Sequence, residues 1–181
     1  MPDPLPRRVA ITGLGAVSSI GIGTAAFTAA VRAGRTGTAP ITRFDTSGFP
    51  YRVAGEIADF DPSRLLRVLE PGRWGRSSEF AAAAARLAVQ DAGIDPGLLT
   101  RSETGSVLGT TAGEAVAIQS LAEQWVKEGL EKLDPRLVAQ VPASQIAVAV
   151  SRELSLSGET LTVPTACPAS NFAVGYGYDL V

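Results

Sequence analysis

Leu161-Thr162-Val163-Pro164-Thr165-Ala166-Cys167-Pro168-Ala169-Ser170-Asn171-Phe172-Ala173-Val174-Gly175 decides the reading of this chain. The short apolar run Leu161-Thr162-Val163 predicts a strand, and Pro168 to Val181 predicts a helix. Cys167 falls at the junction, the geometry of a nucleophile exposed on a strand-to-helix turn. It is the only cysteine, and the chain contains no histidine. A cysteine nucleophile ordinarily works beside a histidine. The chain therefore offers an attacking group without its usual proton-handling partner. A lone cysteine is most often a small buried hydrophobe; its placement at this junction is what argues for chemistry.

Working outward, Ala143 to Leu154 predicts a helix with Ile146, Val150 and Leu154 on one stripe. Gly113 to Gly129 predicts another, and Thr104 to Leu108 a strand. Ser78 to Asp91 is the strongest helical segment, with Ser77 or Ser78 as its cap, Glu79 in its first turn and Gly93 as its stop. Its alanines at 81 to 85 suggest close packing on both sides. Asp61-Pro62 reads as a cap followed by Pro at the first helical position, opening a short helix to about Leu69. Val53 to Ile57 predicts a short strand, and residues 35 to 52 a loop. Thr24 to Ala33 predicts a helix capped by Thr24 and ended by Gly34, and Arg8 to Gly13 a buried first strand. Strands alternating with helices give an α/β class with a largely parallel sheet.

The 181 residues suit one domain, with 45% apolar and 19% charged residues favouring a packed core over disorder. A net charge of −2 argues against nucleic acid or anionic membrane as partner. One cysteine makes no internal disulfide, and without histidine few zinc ligands remain. Met1-Pro2-Asp3-Pro4 lacks the pattern of a secretory signal, and Phe80 to Val89 is too short to span a bilayer, so a cytoplasmic protein is expected.

Two glycine motifs invite a cofactor reading. Gly13-Leu14-Gly15 starts like a dinucleotide fingerprint but lacks the third glycine and the distant acid, so a structural turn is expected. Gly109-Thr110-Thr111-Ala112-Gly113 lacks the Gly-Lys-Ser/Thr end of a phosphate cradle. Arg7, Arg8, Arg64, Arg67, Arg73 and Arg76 are candidates to meet an acidic partner, although dispersed surface charge usually only solvates. Trp74 and Trp125 are expected to pack.

Four segments together resemble one family. Arg8 to Gly21 resembles the opening of the β-ketoacyl synthases, and Gly34 to Gly48 their next characteristic segment. Glu79 to Gly93 is similar to their helix ending in Asp-Ala-Gly, and Leu161 to Gly175 to their active-site segment. The resemblance runs in order along nearly the whole of residues 1–181. It implies a thiolase-like fold, of which this chain matches most of the first, N-terminal half; a complete member is roughly twice as long, beyond one typical domain.

The resemblance also implies chemistry. The cysteine matching Cys167 accepts an acyl group from an acyl carrier protein, whose phosphopantetheine carries it; no cofactor or metal of the chain's own is implied. Decarboxylation of a malonyl thioester then gives a carbanion that attacks the acyl-cysteine. A helix amino terminus lowers a thiol's pKa, and the Cys167 N–H supplies half of an oxyanion hole. The second donor and the paired histidines lie in the other half. The matching of Gly109 to Gly113 implies a loop near the acyl pocket and subunit interface. Pro168, Ser170, Asn171 and Phe172 depart from the usual pattern and bear on the shape of the acyl pocket.

Two functions from different classes follow. The first is a split condensing enzyme in polyketide or fatty acid biosynthesis: this chain brings Cys167, and a second polypeptide brings the remaining catalytic residues in a dimer or hetero-oligomer. Such a half exposes a large apolar face that demands a partner. The second is a non-catalytic relative, resembling a chain length factor or docking a carrier protein. A stand-alone acyltransferase or thioesterase would need Asp or Glu as base, and none lies close to Cys167 in sequence.

Overall fold

Three Asp-Pro pairs open three of the helices. In the computed structural model, which describes residues 8–181, Asp61, Asp95 and Asp134 each accept a hydrogen bond from the backbone N–H two residues on. Each is followed by Pro at the first helical position, where no N–H is needed. The chain runs β1 (Val17–Ser18), β2 (Gly21–Ile22), α1 (Thr24–Arg32), β3 (Thr38–Pro40), β4 (Val53–Gly55), α2 (Pro62–Leu65), α3 (Arg76–Asp91) and α4 (Pro96–Arg101). It continues with β5 (Ser106–Thr110), α5 (Ala115–Glu128), a 3₁₀ turn at Leu130–Lys132, α6 (Pro135–Gln140), α7 (Ser144–Leu154), β6 (Thr160–Pro164) and α8 (Ala169–Leu180).

Strands pair in twos among the described residues. β1 and β2 form an antiparallel hairpin, and β3 and β4 an antiparallel ribbon. β5 and β6 are parallel, in register from Ser106↔Thr160 to Thr110↔Pro164. The connection between these two parallel strands carries α5, α6 and α7, as a parallel crossover requires. The α/β class holds, with its parallel pairing confined to β5 and β6.

α3 lies at the centre. None of its residues from Arg76 to Val89 is exposed. Ala82 and Ala83 are fully buried with Ala149 of α7, in a cluster with Phe60, Leu66 and Leu69. On another side, Gly13 and Gly15 lie so close to the Ala88 and Ala84 carbonyls that a Cβ would overlap them. Small residues on both partners allow this approach, as the alanine run predicts. Trp74 packs against the cluster as expected, but Trp125 is 57% exposed.

Two buried carboxylates tie down the segment before α3 and the first turn of α3 itself. Glu153 on α7 accepts from the N–H groups of Arg67, Val68 and Leu69 at 2.7–3.0 Å and pairs with Arg86 at 3.0 Å. Glu114, just before α5, accepts from the N–H groups of Ser77 and Ser78 and from the Ser78 hydroxyl. Seven donors thus replace the water that these charges lose, which a buried carboxylate requires.

Several expectations need correction. Arg8 to Gly13 forms no strand and is not buried: a strand needs a ladder partner, Arg8 to Thr12 are exposed, and only Gly13 closely approaches α3. The expected loop at 35 to 52 contains β3, because Thr38–Pro40 pairs with Val53–Gly55. The helix from Asp61 stops at Leu65, where Leu66 turns to extended geometry and Glu153 takes the following N–H groups. α3 is capped at Gly75, not by a serine, since Glu114 reaches its free N–H groups from outside. α1 likewise has Gly23 as its cap, and the Thr24 hydroxyl donates to the Leu14 carbonyl. Gly34 and Gly93 do end their helices, each at positive φ with the following N–H bonded back into the last turn.

Candidate active site

The site is built where β5 and β6 end side by side. Thr110↔Pro164 is their last register pair. β5 runs on into the 111–114 loop, and β6 into the turn that holds Cys167. Cys167 is exposed there, just before α8. The strand–cysteine–helix order predicted from sequence is therefore present. Pro168 sits one place earlier than expected, as the helix cap and not its first residue, and its carbonyl accepts from Phe172 N–H at 3.0 Å.

The two strand ends are joined. The Thr111 hydroxyl donates to the Ala166 carbonyl at 3.2 Å. Gly109 lies against the backbone of Ala169, where a Cβ would overlap, so β5 rests directly on the first turn of α8. The loop is held at its far side too: Gly113 O accepts from Ser77 Oγ at 3.2 Å, and Glu114 caps α3. Gly109 to Gly113 thus borders the cysteine turn. No backbone carbonyl among the described residues accepts from the Cys167 N–H.

α8 is apolar well beyond the face it buries. Only Ala169 and Ala173 are buried, while Phe172, Val174, Tyr176 and Leu180 are exposed. Beside the cysteine turn, Val163, Pro168, Asn171, Phe172 and Tyr176 line an open groove of about 470 Å³. The departing residues Pro168, Asn171 and Phe172 therefore share one wall. Tyr176 donates to Glu159 at 3.0 Å, and this bond to a carboxylate holds the phenol above its usual range.

A larger cavity of about 650 Å³ lies between the 68–75 segment, α6 and α7, with Arg73, Arg136 and Arg152 on its walls; Cys167 does not line it. The candidate arginines are mostly engaged locally. Arg64 pairs with Asp61 and Arg73 with Glu70. Arg67 donates to the Arg64 and Leu66 carbonyls. Arg76 donates to the Ile57 carbonyl and lies over the Phe60 and Phe80 rings, its pKa lowered by burial. Arg7 lies outside the described residues. Among the described residues no cluster of His, Cys, Asp and Glu suits a metal ion, and no helix is long and apolar enough to cross a membrane.

Thr111 and Glu114 were not singled out by sequence. The 109–113 loop was, but nothing in its residues gives the reach of a hydroxyl to a carbonyl 55 positions away.

Comparison with known proteins fits this geometry. The family model described as "Beta-ketoacyl synthase, N-terminal domain" matches residues 6–180. The chain is 33% identical to the tetracenomycin polyketide synthase ketoacyl synthase alpha subunit of Streptomyces glaucescens, covering 97% of this chain and 42% of that protein. It is 30% identical to 3-oxoacyl-[acyl-carrier-protein] synthase 2 of Coxiella burnetii, with the same coverage, 97% and 42%. The solved structure of the ishigamide ketosynthase/chain length factor matches with a TM-score of 0.86 and 44% identity, over 93% of this chain and 42% of that one. The chain thus spans less than half the length of these relatives, and its fold is the thiolase-like fold of ketosynthases, N-terminal part.

Proposed function

This chain belongs to the β-ketoacyl synthase family, and from that premise we propose that Cys167 is the acyl acceptor of a carrier-protein-dependent decarboxylative condensation. The proton-handling and decarboxylating groups come from ketosynthase residues outside these 181. The observation that carries this reading is the exposed thiol of Cys167 on the turn between β6 and α8, in a chain with no histidine.

Each step follows from chemistry at that turn. The Cys167 thiolate attacks the thioester carbonyl of an acyl group on a phosphopantetheine arm. The oxyanion formed is met by the Cys167 N–H. The carbanion left when a malonyl thioester loses carbon dioxide, a step that needs groups this chain lacks, then attacks the acyl-enzyme carbonyl; the new carbon–carbon bond forms as the acyl–sulfur bond breaks and the Cys167 thiolate is released. The apolar outer residues of α8 support a covering ketosynthase segment, since apolar patches of this kind mark interaction sites. The relatives named for polyketide and acyl-carrier-protein synthesis support the carrier protein as acyl donor.

A second reading, a non-catalytic ketosynthase-like subunit, is favoured by one observation: the 44% identical structure contains a chain length factor as well as a ketosynthase. Native mass spectrometry of the chain purified from its own host separates the two. A complex with a second ketosynthase-like polypeptide and an acyl adduct that vanishes in Cys167→Ala supports the catalytic reading. The same complex with no adduct, and with product formation unchanged in Cys167→Ala, supports the subunit reading.

A further inference from the structure

We infer that Thr111 is a positioning residue for acyl transfer, acting through the peptide bond that carries the Cys167 N–H. The inference rests on the reading of Cys167 as acyl acceptor. β5 and β6 stay in register to Thr110↔Pro164, so Thr111 leaves its strand beside the cysteine turn. Its hydroxyl donates to the Ala166 carbonyl at 3.2 Å. That carbonyl and the Cys167 N–H belong to one trans peptide unit and point in opposite directions. A donor held against the carbonyl fixes the plane of the peptide. It also draws electron density to the carbonyl oxygen, which strengthens the N–H on the other side as a donor.

Thr111 is a firm support because its loop is anchored. Gly113 and Glu114 are bonded to the start of α3, and Gly109 rests on Ala169. The loop therefore holds the carbonyl side of the peptide and leaves the Cys167 N–H without a backbone acceptor among the described residues, available to an oxyanion.

In the step served, the Cys167 thiolate forms a carbon–sulfur bond to the thioester carbonyl, and the π pair moves onto oxygen. When that pair returns, the bond to the pantetheine sulfur breaks. The departing thiolate takes up a proton equivalent to the one Cys167 gave. The oxyanion is where the N–H acts. Alkylation of Cys167 by iodoacetamide forms a sulfur–carbon bond and expels iodide without any oxyanion. Acylation and alkylation therefore report differently on Thr111.

The test compares the two rates in the complex of this chain with its ketosynthase-like partner, purified from its own host, with hexanoyl-N-acetylcysteamine thioester as acyl donor and iodoacetamide as alkylating agent. Thr111→Val is expected to slow acylation roughly three- to tenfold, the loss of one modest hydrogen bond, with alkylation unchanged. Thr111→Ser, which keeps the hydroxyl, is expected to restore acylation. Unchanged acylation in Thr111→Val overturns the inference, as does an equal fall in both rates, which would mean a structural role. If Thr111→Val does not fold, the ratio of the two rates in Thr111→Ala decides in the same way. A wild-type complex in which Cys167 is alkylated but never acylated overturns the acyl-acceptor reading and this inference with it.

Discussion

Glu114 and Ser78 are bonded twice: one carboxylate oxygen accepts from both the backbone N–H and the hydroxyl of Ser78, each at 2.7 Å. Glu114 stands 36 residues from the helix end that it caps. Its negative charge at the amino terminus of α3 also suits the helix dipole. The same residue begins the crossover that follows the loop beside Cys167, so the central helix and the site share one anchor.

Glu114→Ala is expected to destabilise the chain by about 3 kcal/mol, because three donors, two of them buried with it, lose a charged acceptor. Gly75→Ala probes the same contact from the other side, since a Cβ there would overlap the Glu114 carboxylate. It is expected to cost about 1–3 kcal/mol through overpacking. Urea denaturation of both variants checks this. A midpoint unchanged from wild type in Glu114→Ala contradicts the anchor.

Glu153 offers a second test. Its side chain is fully buried and pairs with Arg86, which is 22% exposed. Removing the carboxylate leaves a largely buried guanidinium and three backbone donors without their acceptor. Glu153→Ala is expected to lose about 3–5 kcal/mol, a fall in melting temperature of roughly 10 °C for a chain of this size. Replacing both members, Glu153→Leu with Arg86→Met, is expected to cost less than Glu153→Ala alone, because no buried charge is then left unpaired. Thermal denaturation of the single and double variants measures the difference.

Glu56 gives a pH dependence with a definite sign. Its carboxylate accepts from the Thr42 hydroxyl and from the N–H groups of Thr42 and Arg43. The Thr42 hydroxyl bond, chiefly, lowers its pKa below the ordinary value of 4.5. The folded value is depressed, so the stabilisation is full above pH 4.5 and fades as pH falls through the lower folded value. Amide exchange at Thr42 and Arg43, corrected for intrinsic rates, is expected to quicken in that acid window. Glu56→Gln is expected to remove the pH dependence there; persistence of the same dependence in that variant contradicts the assignment.

The strand–cysteine–helix order was legible because it is local. An apolar run, a small tripeptide and a helix-forming run follow each other within residues 160–180. The α3 packing was legible from its alanines. α4 and α6 carried the same Asp-Pro signal as α2, at Asp95-Pro96 and Asp134-Pro135, but their apolar patterns are too short to show a helical period. The Arg8 to Gly13 strand was misread because apolar β-branched residues predict extended chain, not the presence of a partner strand. Glu114, Glu153 and Thr111 were missed for one shared reason. Their partners lie 36 to 86 residues away, and no local pattern encodes such a pairing.

The most direct measurement is intact and peptide mass spectrometry after incubating the chain, in complex with its ketosynthase-like partner, with an acylated carrier protein. The account predicts a mass increase of one acyl group, located on the peptide that contains Cys167 and absent from Cys167→Ala. An unmodified Cys167 under conditions in which iodoacetamide labels it, or an adduct that survives Cys167→Ala, would contradict the central claim.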